Sequence, residues 1–215
     1  VLGERGAVHL PAQLSFEEGA TLPCAGLTAW NCLVEQGGLK AGMTALLLGT
    51  GGVSIFGLQI AKMLGARAII TSSSDAKLAR AASLGADELI NYRETPEWQA
   101  RVLELTAGKG VDVTIETGGE GTLAKTIECT RIGGTISLIG VLTGRNIDPS
   151  SIMRKSIRLQ GVYVGNRRMF EELNAALALN GIHPVIDRQF DFDDAREAFH
   201  VMRGAGHFGK LVVSL

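Results

Sequence analysis

The run Thr44-Ala45-Leu46-Leu47-Leu48-Gly49-Thr50-Gly51-Gly52-Val53-Ser54 holds the residues whose types and spacing carry the clearest chemistry. It reads as an apolar strand that passes through a glycine turn straight into a helix over 55–64. Gly49 permits the tight turn, and Gly51 has no Cβ to keep a pyrophosphate away from the backbone. Thr50, Gly52 and Val53 complete the turn. The helix behind them offers unpaired N–H groups and the positive end of its dipole to a phosphate. Ser54 stands where the G-x-G-x-x-G pattern has its third glycine. It is small enough for helix and strand to pack closely, and Gly57, one turn on, relieves the same contact. The pattern predicts dinucleotide binding. A plain strand–helix turn, or a site for another nucleoside such as S-adenosylmethionine, is the competing reading.

Which dinucleotide is decided at the end of the next strand, about 20 residues on, where an acid would hold both ribose hydroxyls of NAD. Here Ala68-Ile69-Ile70-Thr71 runs into Ser72-Ser73-Ser74, and the acid is absent. A carboxylate would repel a 2′-phosphate, whereas serine hydroxyls can donate to one. Lys77 supplies positive charge one helical turn further, with Arg80 beyond it. NADP is therefore expected over NAD. Against this, Ser74 and Asp75 also suit the cap of the following helix, and Asp75 could turn to the ribose and restore NAD use.

These residues need a scaffold, and the flanking pattern supplies one. Ser15 followed by Glu17 and Glu18 is a helix entry, punctuated by Pro23. A second helix carries Leu27, Trp30, Leu33 and Val34 at helical spacing and stops at Gly37-Gly38. Strands are predicted at 45–48, 66–71, 88–91, 111–116 and 135–140, and helices near 55–64, 75–84, 96–105 and 122–129. A sixth strand at 156–162 follows, then a helix over 169–179, a short strand at 185–190, a capped helix ending at 202 and a closing strand at 210–215. Near-continuous apolar strands alternating with helices predict an α/β fold: a Rossmann-type, doubly wound, six-stranded parallel sheet with helices on both faces. Ligand then belongs at the carboxyl ends of the strands, where Gly49 to Gly51 lie.

Composition narrows the class. The 215 residues are 46% hydrophobic and 20% charged, with a net charge of −1, so no basic excess points to nucleic acid. No apolar run approaches the roughly 20 residues of a membrane span. Cys24, Cys32 and Cys129 are odd in number and lack C-x-x-C spacing, which argues against a disulfide framework. The chain opens at Val1 without methionine and shows no signal peptide, so a cytoplasmic location is the default expectation.

Further residues sharpen the picture. Leu22-Pro23-Cys24-Ala25-Gly26-Leu27-Thr28-Ala29-Trp30 precedes the glycine turn; Leu84-Gly85-Ala86-Asp87, Ile90-Asn91-Tyr92-Arg93 and Gly108-Lys109-Gly110-Val111-Asp112 follow it; His207-Phe208-Gly209-Lys210 comes near the end. In this order and spacing they resemble the medium-chain dehydrogenase/reductase superfamily, in its zinc-independent, quinone-oxidoreductase-like branch. The resemblance implies that residues 1–23 are the remnant of an N-terminal, GroES-like catalytic domain otherwise lacking here. It also implies that 24–165 form the NADP-binding domain and that 166–215 return to the catalytic domain. The fragment is then expected to bind cofactor better than it turns over substrate, and the strands at 185–190 and 210–215 could lack partners.

Position by position, the resemblance implies that Gly49, Gly51, Gly52 and Val53 cradle the pyrophosphate, with Lys210 nearby. Ser73, Lys77 and Tyr92 fall at the adenosine 2′-phosphate, beside Ser72 and with Arg203 joining from the last helix. Gly118, Ile139, Gly140 and Val141 line the nicotinamide, which Val162 and Val164 flank. Thr28 is the expected catalytic side chain nearest that ring. Tyr92 also reads as an ordinary strand-end tyrosine, Arg203 as a helix C-terminal cation, Ile139 as core and Trp30 as a packing residue.

Cys24 falls where zinc-dependent relatives place a ligand, but a catalytic zinc needs three protein ligands, and no others have the spacing here. No metal is expected, and no acid or base is identifiable. The expected function is NADP-dependent hydride transfer to or from a quinone, an activated alkene or a carbonyl/alcohol substrate. A non-catalytic cofactor-binding module, a zinc-dependent alcohol dehydrogenase and a methyltransferase are the alternatives. Expected partners are a small-molecule substrate and a second copy paired through the edge strand near 156–162, with no nucleic acid or membrane.

Overall fold

The computed structural model describes residues 3–140 and 148–215. Ser15 opens the first helix, α1 (Phe16–Ala20), with a reciprocal capping box: its hydroxyl accepts from Glu18 N–H, and the Glu18 carboxylate accepts from Ser15 N–H. Helical geometry then continues through a π-helical turn, Leu22–Gly26, into α2 (Leu27–Trp30) and a second π-helical turn, Asn31–Gln36. Pro23 was expected to break this path and does not. It sits in the first turn of the π segment, where its missing N–H leaves no bond unmade, and Leu27 N–H reaches back to Leu22 O.

The strands β1 (Thr44–Leu47), β2 (Arg67–Ser72), β3 (Glu88–Asn91), β4 (Val111–Glu116), β5 (Thr130–Leu138) and β6 (Arg158–Gly161) form one six-stranded sheet in the order β3-β2-β1-β4-β5-β6. Every pairing in it is parallel. Connecting them are α3 (Gly52–Met63), α4 (Asp75–Ser83), α5 (Trp98–Leu105), α6 (Glu120–Cys129) and α7 (Pro149–Arg154). Strand order reverses between β1 and β4, which opens a crevice above their carboxyl ends.

Side chains alternate between two buried faces. Ala45 and Leu47 of β1, with Ala68 and Ile70 of β2, pack with Phe56, Leu58 and Ile60 of α3. Leu46 and Ile69 pack on the other face with Trp98 and Val102 of α5. Covering both faces explains why β4 is buried along its whole length. β5 begins at Thr130, five residues before the predicted start at 135, because a bulge between Val111 and Val113 lets the strand pair before and after Gly133-Gly134.

The chain continues through α8 (Arg167–Asn180), β7 (Ile186–Asp191), a 3-10 turn (Phe192–Asp194), α9 (Ala195–Arg203) and β8 (Lys210–Ser214). The expectation that the last two strands lack partners is corrected: β7 and β8 pair with each other in parallel, with α9 as the crossover. Among the described residues, no helix is long and apolar enough to cross a membrane.

Candidate functional site

The glycine turn leaves β1 at the crevice. Gly49 takes φ +77°, a left-handed conformation that glycine alone adopts without strain, and its N–H donates to Thr71 Oγ1 at 3.1 Å. A Cβ placed on Gly49 or Gly51 would meet open space, so the backbone faces a void. Gly51 is the N-cap residue of α3 and gives that helix no side-chain cap. Ser54 is buried and donates its hydroxyl to Leu48 O at 2.6 Å. At Gly57 a Cβ would come 2.7 Å from Ile115 Cδ1, the close helix–sheet approach expected there.

β8 is tied to this turn. Gly209 N–H donates to Thr50 O at 3.0 Å, and Gly209 bridges to Gly51. The Lys210 stem lies against Gly52, where a Cβ would fall 2.7 Å from Lys210 Cδ. A helix N-terminus without a side-chain cap, an open glycine backbone and a lysine thus converge, an arrangement that fits a diphosphate.

At the end of β2, Ser72 is buried; its Oγ accepts from Ser74 N–H and faces Thr50 Oγ1 at 3.4 Å. Ser73 is half-buried. Ser74 caps α4, and the Asp75 carboxylate accepts from Asn91 Nδ2 at 2.8 Å. Lys77 Nζ donates to Ala205 O at 2.9 Å, two residues beyond the exposed Arg203. Arg80 is committed elsewhere: it pairs with Asp187 at 2.5 Å and lies over the Phe208 ring. Tyr92 is exposed, and with Leu48, Gly49, Trp98, Thr117 and Gly118 it lines a cleft of about 560 Å³.

Gly118, Ile139, Gly140 and Val162 sit at the carboxyl ends of β4, β5 and β6. Ile139 and Gly140 N–H both donate to Glu116 O, and Val162 N–H donates to Leu138 O. Val164 lies in the turn before α8, and Val141 falls outside the described residues. Thr28 is buried in α2 with its hydroxyl donating to Cys24 O at 2.6 Å. Of the named residues, those that end or follow β1 to β6 lie along the carboxyl edge of the sheet.

Residues without a sequence signal also matter here. Glu116 is fully buried at the end of β4; it accepts from Gly118 and Gly119 N–H and from the Thr122 and Thr126 hydroxyls. His207, near the glycine turn, keeps a buried Nδ1 without a partner. Burial, then the nearby Lys77 and Lys210 charges against the opposing Asp187, hold it below the usual histidine range. Cys32 and Cys129 are buried thiols whose pKa burial pushes up to about 12, so they are inert core residues. Cys24 is exposed. Among the described residues no three His, Cys, Asp or Glu come together to hold a metal.

A doubly wound parallel sheet with an open glycine turn at its switch point defines a Rossmann-type cofactor-binding domain. Residues 52–197 match the zinc-binding dehydrogenase family. The chain belongs to that family, within the medium-chain dehydrogenase/reductases. It is 42% identical to a zinc-type alcohol dehydrogenase-like protein of Schizosaccharomyces pombe, over 100% of this chain and 64% of that one. It is 27% identical to human quinone oxidoreductase, over 96% of this chain and 65% of that protein. A crystal structure of an NAD-dependent alcohol dehydrogenase superposes with a TM-score of 0.92 at 31% identity, covering 100% of this chain and 63% of that one. The chain thus spans less than two thirds of the length of these relatives, over their cofactor-binding part.

Proposed function

We propose that this chain is the nucleotide-binding part of an NADP(H)-dependent oxidoreductase that moves hydride between nicotinamide and a quinone, an activated alkene or a carbonyl/alcohol substrate, without zinc. The observation that carries the reading is the open space over Gly49 and Gly51 at the start of a helix that has no side-chain cap, beside Lys210. Gly51, Gly52 and Val53 would hold the diphosphate through backbone N–H groups and the helix dipole, with Gly49 supplying the left-handed turn that brings them to it. The 2′-phosphate falls to Ser73 and Lys77, with Ser72 behind them and Arg203 at the rim. Tyr92 and the cleft it lines would take the adenine. Gly118, Ile139, Gly140, Val162 and Val164 would bound the nicotinamide, which when bound supplies or accepts the hydride.

The preference for NADP is supported by the end of β2. Serines stand where the NAD-binding pattern has an acid, and the Asp75 carboxylate that follows them is turned to Asn91. Lys77 must leave the Ala205 carbonyl to reach a phosphate. Thr28 has its proton on Cys24 O, so stabilising charge on a substrate oxygen requires the hydroxyl to give up that bond. A similar structure described as NAD-dependent makes NADH the necessary second arm of any test. We further propose pairing of two copies through β6, the sheet edge whose residues are mostly exposed.

The test is a substitution at the β2 end. Ser73→Asp places a carboxylate where the 2′-phosphate would sit; fluorescence titration is expected to show weakened NADPH binding with NADH held or improved. Unchanged NADPH affinity in this variant contradicts the assignment.

A further inference from the structure

We propose that Asn31 is a positioning residue for the nicotinamide end of the nucleotide: its side-chain amide holds the backbone of Val164 in a left-handed conformation and so fixes the turn between β6 and α8. The proposal rests on the nucleotide-binding reading above and adds to it a residue outside the crevice motifs.

Two independent observations meet at this turn. The first is Val164, at φ +51°. A β-branched residue is a genuine outlier there, and such strain persists only where the surroundings over-determine it. The second is Asn31, 7% exposed beside an apolar cluster that includes Trp30, Cys32 and Val162. A buried amide is costly unless bonded, and this one donates from Nδ2 to Val164 O at 2.9 Å, across 133 residues of sequence. Its other end is also engaged, since Asn31 Oδ1 accepts from Gln36 Nε2 at 3.1 Å, which fixes the orientation of the amide.

The neighbouring residues leave the turn little room. Val162 N–H continues the β5–β6 ladder to Leu138 O, and Asn166 caps α8 by accepting from Met169 N–H. Between them Gly165 presses on α2: a Cβ there would lie 2.9 Å from Leu27 Cδ1. The chain therefore passes from strand to helix cap in four residues through one strained position. If Val164 relaxed to an ordinary negative φ, the peptide groups on either side would rotate. Val162 and Val164 would then no longer form the wall assigned to the nicotinamide. The adenosine side, built on β2 and α4, would be untouched.

That asymmetry gives a readout that a merely structural role does not move. NADPH spans the whole crevice, whereas 2′,5′-ADP occupies only the adenosine side. Both are titrated into the 215-residue chain and into Asn31→Ala, Asn31→Asp, Val164→Gly and the double variant Asn31→Ala/Val164→Gly. Loss of the amide donor is expected to weaken NADPH about tenfold, as for one buried hydrogen bond and the strain it holds. The affinity for 2′,5′-ADP stays unchanged. Glycine at 164 adopts the left-handed conformation unaided, so Val164→Gly, which also takes the valine out of the wall, weakens NADPH by itself, and adding Asn31→Ala to it is expected to cost little more. Asn31→Asp, nearly the size of asparagine, carries the test if the alanine variant does not fold. Equal weakening of both ligands, or no change in NADPH affinity, overturns the role of Asn31 alone. A folded parent chain that binds neither ligand overturns the nucleotide reading and this proposal with it.

Discussion

Four donors surround the carboxylate of Glu116, and without them an acid could not remain at full burial in the middle of the sheet. Its bonds to Gly118 and Gly119 shape the loop that leaves β4 into the crevice, and those to Thr122 and Thr126 anchor α6 one and two turns on. Glu116→Ala strands several buried donors at once and is expected to lower unfolding stability by ~3 kcal/mol in urea titration. A loss below ~0.5 kcal/mol would show the network to be dispensable. Lys77 plays a different part, since its bond to Ala205 O is replaceable by water. Lys77→Ala is expected to weaken NADPH roughly tenfold, with NADH affinity nearly unchanged and stability preserved. At this scale the sequence was legible where a motif concentrates several small residues, as from Gly49 to Ser54. Glu116 and Asn31 were not legible. A lone acid ending an apolar strand, or a lone amide on a helix, gains its meaning from partners that only the folded chain brings near.

The strand–turn–helix unit of β1 and α3 sets the distance between crevice and core. At Gly57 the helix lies so close to the sheet that a methyl group would meet Ile115 Cδ1 and Leu47 Cδ2, both on fully buried residues with nowhere to move. Gly57→Ala therefore loses more to overpacking than it gains in helix propensity; a net destabilisation of about 1 kcal/mol is expected, read as a lowered Tm. A raised Tm would mean that the contact yields. The unit was readable because an unbroken apolar strand, a glycine turn and a helical stripe are all local patterns. The continuous helical path through Pro23 was not, since π-helical turns shift the bonding register without a composition signal. Nor was the pairing of β7 with β8. β7 is largely polar, both strands are only partly buried, and their partnership depends on the α9 crossover.

As a whole molecule the chain presents a parallel sheet with an open edge at β6. Val162 N–H points to β5, so the alternate amide at Gly161 points outward, where its carbonyl accepts from the neighbouring Gln160 side chain at 2.9 Å. Gly161→Pro would block pairing across that edge without removing a bond to β5. Sedimentation is expected to give a dimer for the parent chain and a monomer for the variant; a monomeric parent contradicts edge pairing. The overall architecture was legible from the alternation of apolar strands and helices. The crevice itself follows from strand order, which no local pattern encodes. The central claim is that this crevice seats a phosphorylated dinucleotide, and competitive fluorescence titration of the folded chain with NADPH and NADH tests it most directly. Saturable binding of both, with NADPH the tighter, is the predicted result; no saturable binding, or tighter binding of NADH, would contradict it.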